Sequence, residues 1–337
     1  MRAVIRERYG GLEVVRVEDH ATPDPDRGQV RLAVAAAGVD AGVWVMLTGQ
    51  PLVARLLFGP RQPREPGLGW EVAGTIEAVG EDVEDLTVGD RVTGLGRGTF
   101  ATHCLASAKT LARLPDTVTF EEAATLAISG CTALQALRDR GRVTPGQRVM
   151  VIGAGGGVGT FSVQLARHLG ARVTGVCSTG KADLVRSLGA EKVLDYTCED
   201  IASSGRHDVI LDTGGSRPFR ELRRCLTATG TVVVVGSGIG MGHLGGLDRS
   251  LTGPVLNLLS RQHLRGLLAK TNRTDLETLA GLTASGELRP VVTARYTLDQ
   301  ATDALRVLGT GHSTGKAIVV PLLTRRAAGV YDEAASR

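Results

Sequence analysis

The chain has 337 residues, 22% of them charged and 42% hydrophobic, with a formal net charge of +4. That length exceeds one ordinary core and predicts two domains, each able to bury its own core without disulfide help. No apolar run reaches the roughly 18 residues that would cross a bilayer, and the basic residues are scattered among acids without interleaved aromatics, so neither a membrane partner nor a nucleic-acid partner is expected.

Charged Arg2, Arg6, Glu7 and Arg8 open the sequence in place of an apolar signal core, which predicts a cytoplasmic protein. Cysteines stand at Cys104, Cys131, Cys177, Cys198 and Cys225, odd in number and widely spaced. That pattern fits reduced structural thiols better than a disulfide framework or a metal cluster.

In chain order, the first segment reads as short strands and turns. Alternating Val14, Val15 and Val17 are followed by apolar stretches at 30–36 and 72–79, broken by Pro23, Pro25, Gly28, Gly80 and Gly89. From Phe120 the texture changes to helix-sized alanine and leucine stretches alternating with compact valine-rich runs, which predicts parallel strands joined by crossover helices. These strands are expected at 148–152, 172–177, 192–194, 208–212 and 231–235. Further on, a helix over 275–284, a strand over 291–296, a helix over 298–308 and a strand over 317–321 are expected to rejoin the first domain. Residues beyond Leu323 carry no periodic pattern and are predicted to be disordered. The fold class is therefore α/β, with a doubly wound parallel-sheet domain over 119–270 and a β-rich domain over 1–118 and 271–337.

The strongest local signal follows the first parallel strand. Val149-Met150-Val151-Ile152 runs into Gly153-Ala154-Gly155-Gly156-Gly157-Val158-Gly159 and then a helix-like segment, the context of a dinucleotide fingerprint. Counted as G-x-G-x-x-G, its key positions are Ala154, Gly156 and Gly159. Gly156 lets backbone approach a pyrophosphate, Gly159 allows close helix packing, and the helix N-terminus offers free N–H groups to the anion. An NAD site places an acid at the end of the second strand. Here that strand ends in Ser178 and Lys181, a hydroxyl and a cation suited to a 2′-phosphate, and Asp183 falls a helical turn too late. The expected cofactor is NADPH.

Several further motifs accompany this turn: Gly69-Trp70-Glu71-Val72-Ala73-Gly74 with Val79-Gly80, Val88-Gly89-Asp90-Arg91-Val92, Thr132-Ala133-Leu134, Ser187-Leu188-Gly189-Ala190 with Asp195-Tyr196, and Gly315-Lys316. Together they resemble the medium-chain dehydrogenase/reductase superfamily, in its zinc-independent, quinone-oxidoreductase-like branch, over nearly the whole chain. The resemblance implies a GroES-like substrate domain built from both chain ends, a central Rossmann domain, an active site in the cleft between them, and a homodimer formed through Rossmann edge strands. It also implies that Ser178, Lys181 and Tyr196 surround the adenosine 2′-phosphate. Thr132 and the Val235-Gly236-Ser237 turn would lie near the nicotinamide, and Lys316 near the cofactor's phosphates or nicotinamide half. Gly236 and Ser237 also follow a strand's carboxyl end, where open α/β sheets bind ligands. Zinc-dependent members would carry a cysteine near Val39, a histidine where Trp70 stands and a loop of four cysteines. This chain has none of these, so no metal is expected, and Glu71 reads as a salt-bridge partner in the cleft wall.

Without metal, the expected reaction is hydride transfer to a small hydrophobic electrophile: a quinone, an enone or a reactive carbonyl. Related reductases often have an asparagine followed shortly by a tyrosine in the loop that 39–46 occupies here, with Asp40 and Val45 in those places. Valine cannot donate a proton. Asp40 is one candidate acid, with a helix cap as its alternative reading, and His103 is the other, with a structural histidine as its alternative. Trp44, Val45, Met46 and Leu47, with the apolar stretch 52–58, are the expected substrate surface or lid, and the glycine-rich 236–246 is expected to share in specificity. The residues leave open alcohol oxidation or a redox-neutral biosynthetic step, and a non-catalytic dinucleotide-binding sensor.

Overall fold

Two six-stranded sheets carry the chain, in a computed structural model that describes residues 1–214, 217–235 and 261–321. A small antiparallel ribbon of β1 (Arg2–Ile5) and β2 (Arg16–Asp19) precedes them. The first large sheet contains β3 (Gln29–Val39), β4 (Glu71–Val79), β5 (Arg91–Arg97) and β6 (His103–Arg113) in antiparallel pairing. Because β3 also pairs with β6, the sheet curls back on itself. Buried and half-buried positions alternate along β3 until Ala37, the period-2 pattern of a strand with one face on a core. That core gathers Leu32, Val72, Val92, Phe100 and Leu111.

The second sheet is wholly parallel. Its strands are β7 (Arg148–Ile152), β8 (Arg172–Cys177), β9 (Lys192–Asp195), β10 (His207–Asp212), β11 (Leu226–Val235) and β12 (His263–Leu267), in the order β12-β11-β10-β7-β8-β9. Val149, Met150 and Val151 are buried on both faces, as a helix-covered parallel sheet requires. The chain runs from β7 to β8 on one side and places β10 on the other, so a crevice opens at the carboxyl end of β7.

Helices in chain order are α1 (Ala41–Thr48), α2 (Arg55–Phe58), α3 (Phe120–Ala123), α4 (Cys131–Gln135), α5 (Gly157–His168), α6 (Ala182–Ser187), α7 (Phe219–Arg224), α8 (Arg273–Ala284) and α9 (Ala301–Gly309). The tail returns β13 (Val292–Tyr296) and β14 (Lys316–Val319) to the first sheet, with β14 antiparallel to β3. On the way α8 ties the halves together. Arg273 donates to the carbonyls of Leu111 at 2.9 Å and Ala108 at 2.7 Å, while buried Asp275 accepts from Arg138 at 2.6 Å and Gln135 at 2.7 Å.

Val14, read with Val15 and Val17 as strand, falls in a 3-10 turn (Leu12–Val14) ahead of β2, and two further elements differ from the sequence expectation. The parallel sheet has a sixth strand, β12, whose Arg265 and His263 disguise it as a polar loop; an edge strand needs no continuous apolar run. Helix α5 starts at Gly157, earlier than apolar periodicity suggests, because its first turn is built from the glycines themselves. Among the described residues no single helix is long and apolar enough to cross a membrane.

Candidate functional site

A cavity of about 580 Å³ opens at the carboxyl ends of β7 and β10 and reaches across to the first sheet. The glycine turn forms one wall. Gly153 holds φ +78°, and a Cβ there would lie 2.5 Å from the Thr213 hydroxyl, so the tight turn falls at this glycine. Ala154 is tolerated one residue later because its methyl packs toward Gly175 of β8, whose missing side chain leaves room. At Gly159 a Cβ would sit 2.1 Å from the Gly153 carbonyl oxygen, which forces glycine where α5 crosses the turn. Gly156 caps α5 with backbone alone, and Gly156, Gly157 and Val158 line the cavity. The helix therefore presents its first N–H groups to whatever enters. Ala154 and Gly159 shape the turn from behind, and Thr132 lines the cavity beside it.

The predicted adenosine residues lie at the ends of β8 and β9. Tyr196 is 44% exposed, with its N–H donating to the Cys177 carbonyl at 3.1 Å, and Ser178 precedes a short turn over Thr179–Lys181 without capping it. Lys181 is not the freely solvated lysine its position suggests. Its stem crosses Gly155, where a Cβ would lie 2.7 Å from Lys181 Cδ, and its ammonium donates to the carbonyls of His312 and Ser313, both at 2.9 Å. Partial burial pushes its pKa down. Asp195, which the sequence reading passed over as an acid, ends β9 directly beside Cys177. Its carboxylate accepts from the hydroxyl of Thr179 and from Thr197 N at 2.9 Å and Oγ1 at 2.6 Å, and these bonds, Thr179 first, hold it below the usual carboxylate range. Finding it requires the sheet order, because it lies on the neighbouring strand. Gly236 and Ser237 fall outside the described residues.

Opposite the glycine turn lies a floor of charged side chains. Asp40 caps α1, with Oδ1 accepting from Gly42 N at 2.7 Å and Oδ2 accepting from the Trp70 indole N–H at 2.8 Å. Trp70 packs over that first turn so closely that a Cβ at Gly42 would lie 2.0 Å from its ring. Next to it in β4, Glu71 accepts from Ile128 N and from Lys316 Nζ, each at 2.9 Å. Asp40, Glu71 and Lys316 are 6%, 0% and 2% exposed. Loss of water pushes both carboxyls above their ordinary range, with the Lys316 charge opposing the rise at each. Asp40, Trp70 and Lys316 all line the cavity. Lys316 lines the cavity, but its ammonium is held by Glu71, and its stem passes Gly157, where a Cβ would lie 3.1 Å from Lys316 Cδ.

Other expectations need correction. Trp44, Val45 and Leu47 do not line the cavity. Only the cap and first turn of α1 face the cleft; Leu47 is buried in the first domain's core, and the Trp44 ring packs on Gly309 of α9. The stretch 52–58 also lies outside, with Leu56 and Leu57 pointing into solvent. Val39, Leu267, Ala269, Tyr296 and Leu308 form the apolar wall instead, drawn from segments that meet only in the folded chain. His103 sits on β6 away from the cavity, with Nε2 3.2 Å from a Glu77 carboxylate oxygen and Nδ1 3.0 Å from the Thr102 hydroxyl. That is the structural role its alternative reading described.

Known proteins bear on this geometry. Residues 26–116 match the family described as alcohol dehydrogenase GroES-like domain, and residues 188–319 the family described as zinc-binding dehydrogenase. The quinone oxidoreductase of Pseudomonas aeruginosa is 31% identical over 337 residues, covering 93% of this chain and 97% of that protein. Among solved structures, the quinone oxidoreductase of Coxiella burnetii superimposes with a TM-score of 0.85 at 27% identity, over 95% of this chain and 99% of that one. That of Escherichia coli, complexed with NADPH, superimposes with a TM-score of 0.82 at 25% identity, over 95% and 100%.

Proposed function

The chain belongs to the medium-chain dehydrogenase/reductase superfamily, in its quinone-oxidoreductase-like branch, and from that premise we propose an NADPH-dependent reductase of quinones, enones or reactive carbonyls that works without zinc. At the coarser level it is an NAD(P)-dependent oxidoreductase. The observation that carries the finer reading is that one cavity joins the glycine turn to a buried acid, Asp40.

A bound nicotinamide supplies hydride; the chain's own groups bind, orient and protonate. The open N-terminus of α5 receives the pyrophosphate, and Ser178, with the Lys181 N–H left over from the His312 and Ser313 carbonyls, favours a 2′-phosphate at the end of β8. Asp195 is the acid that opposes this choice, and its bonds from Thr179 and Thr197 leave it fewer free lone pairs for a ribose hydroxyl. The E. coli relative's complex with NADPH supports the same choice. The floor holds two buried carboxyls and one ammonium, which bonds Glu71 and acts on Asp40 only through its charge, and a buried site of that composition favours one bound proton. Asp40 is the member next to the cavity, and it hands that proton to the reduced acceptor.

Zinc independence rests on side-chain chemistry. The Trp70 indole nitrogen only donates, and Glu71 is committed to Lys316 and Ile128. Among the described residues no three His, Cys, Asp or Glu are grouped to hold a metal. A conjugated acceptor moves charge onto its own distant oxygen and does not need a Lewis acid. The outer edge of β12, which has no strand partner among the described residues, offers the face for a homodimer.

Deuterium at C4 of NADPH tests the reaction. Label is expected on carbon in the reduced enone or carbonyl, whereas a quinone gives hydroquinone that exchanges the label with water and shows it only as a slower rate; turnover about 100-fold lower is expected in Asp40→Asn with cofactor affinity unchanged. No label in any enone or carbonyl product together with no NADPH consumed by any quinone would reject the reductase, and unchanged turnover in Asp40→Asn would reject the proton donor.

A further inference from the structure

The segment between α1 and β4 holds a feature that the cleft does not use. Leu52, Val53, Leu56 and Leu57 are 50%, 38%, 69% and 76% exposed. They lie on consecutive helical turns, Leu52–Ala54 and Arg55–Phe58, so Leu52 stacks beside Leu56 and Val53 beside Leu57 on one face. Single exposed leucines are ordinary, whereas a contiguous apolar face marks a surface that meets something.

This face stands on a fixed platform. The Tyr9 hydroxyl donates to the Gly59 carbonyl at 2.7 Å, Arg55 Nε donates to the Gly49 carbonyl at 3.1 Å, and the Arg55 guanidinium lies 4.6 Å from the Tyr9 ring centre. Arg64 N donates to the Phe58 carbonyl at 2.8 Å and closes the loop that follows. The charge around the face is predominantly positive. Residues 52–65 carry Arg55, Arg61 and Arg64 against Glu65, and Arg61 and Arg64 are exposed without an ion pair among the described residues.

We infer that this face docks the protein peripherally on an anionic membrane surface. Leucines enter the boundary of the acyl chains while the flanking guanidinium groups stay with the lipid phosphates. A second copy is the less favoured occupant, because a two-fold contact through this face would bring Arg61 and Arg64 of both subunits together. The absence of a spanning run, which led to the expectation of no membrane partner, does not bear on a protein that lies on the surface. Position adds a purpose: the Phe58 ring is 6.0 Å from Trp70, which lines the cavity, so the docked face adjoins the cleft wall. Docking itself is independent of the proposed chemistry and is measured without turnover.

The test is co-flotation of the full-length protein with vesicles of phosphatidylcholine alone or mixed with phosphatidylglycerol, alongside its mass in solution by light scattering. Flotation is expected only with the anionic vesicles, weakening with salt and falling about tenfold or more in L56E/L57E and in R61E/R64E. Both variants change exposed side chains, so unfolding temperatures near the parent's are expected and show that lost flotation is not lost folding. Three results would overturn the inference: no flotation, flotation equal in the variants, or a concentration-dependent oligomer that L56E/L57E abolishes.

Discussion

The glycine turn and the Asp40–Glu71 floor face each other across one cavity, yet they are made of different material. The turn is backbone: a left-handed Gly153, a helix N-terminus without a side-chain cap, and Gly159 where no Cβ fits. Its residues are contiguous. The floor is side chain: Asp40 at the start of α1, Trp70 and Glu71 entering β4, and Lys316 opening β14, brought together by pairing of β3 with β4 and β14. A backbone site tolerates loss of a polar side chain but not gain of a methyl group, whereas a buried ionic site responds in the opposite way.

The sharpest way to break that contrast is Lys316→Met. It leaves two buried acids without their cation and should cost about 3–5 kcal/mol near neutral pH. The loss should shrink in acid, where Glu71 becomes neutral, and a Lys316→Met/Glu71→Leu double variant should recover much of it; urea denaturation measures both. Next comes Gly159→Val, whose Cβ would meet the Gly153 carbonyl at 2.1 Å; about 3 kcal/mol of stability and measurable cofactor binding should be lost. Gly156→Ala, at 3.4 Å from the same oxygen, should fold normally and isolate the effect on the cofactor.

Lys181→Met comes next. Calorimetry should show NADPH affinity falling about tenfold or more, with a smaller loss for NADH. Equal losses would mean that Lys181 serves only to hold the His312–Ser313 carbonyls. The pH dependence of stability is subtler. Burial raises the Asp40 and Glu71 carboxyls, so between their unfolded and folded values the folded state binds more protons than the unfolded chain. Stability from this source is fully present in acid, from about pH 4 downward, and is lost as pH rises through the folded values. Asp40→Asn should flatten that slope. The smallest effect belongs to His103→Ala, where loss of a partly exposed pair with Glu77 should cost under about 1 kcal/mol and leave turnover unchanged.

Legibility in the sequence follows the same division. The turn from Gly153 to Gly159 was readable because strand, glycines and helix are adjacent, and the valine-rich strands β7, β8 and β11 announced the sheet. Asp40 and Lys316 could be named singly, and Glu71 could be assigned to the cleft wall, but their contact spans 245 residues between Glu71 and Lys316. The substrate wall was misplaced for a related reason. Apolar residues in α1 look alike in sequence, and only packing shows that Leu47 faces a core, Trp44 faces α9, and Leu267 and Tyr296 face the cleft. The β12 strand escaped notice because an edge strand carries polar residues, and Asp195 because its proximity to β8 depends on sheet order.

On the proposed function, this cleft passes hydride from NADPH to an electrophile with an acid, not a metal, completing the reaction. The most direct measurement is acceptor-dependent loss of NADPH absorbance by protein dialysed against a strong chelator, using a para-quinone and an α,β-unsaturated ketone. Oxidation that chelation leaves undiminished is expected. No oxidation with either acceptor, or activity that returns only with added zinc, would contradict it.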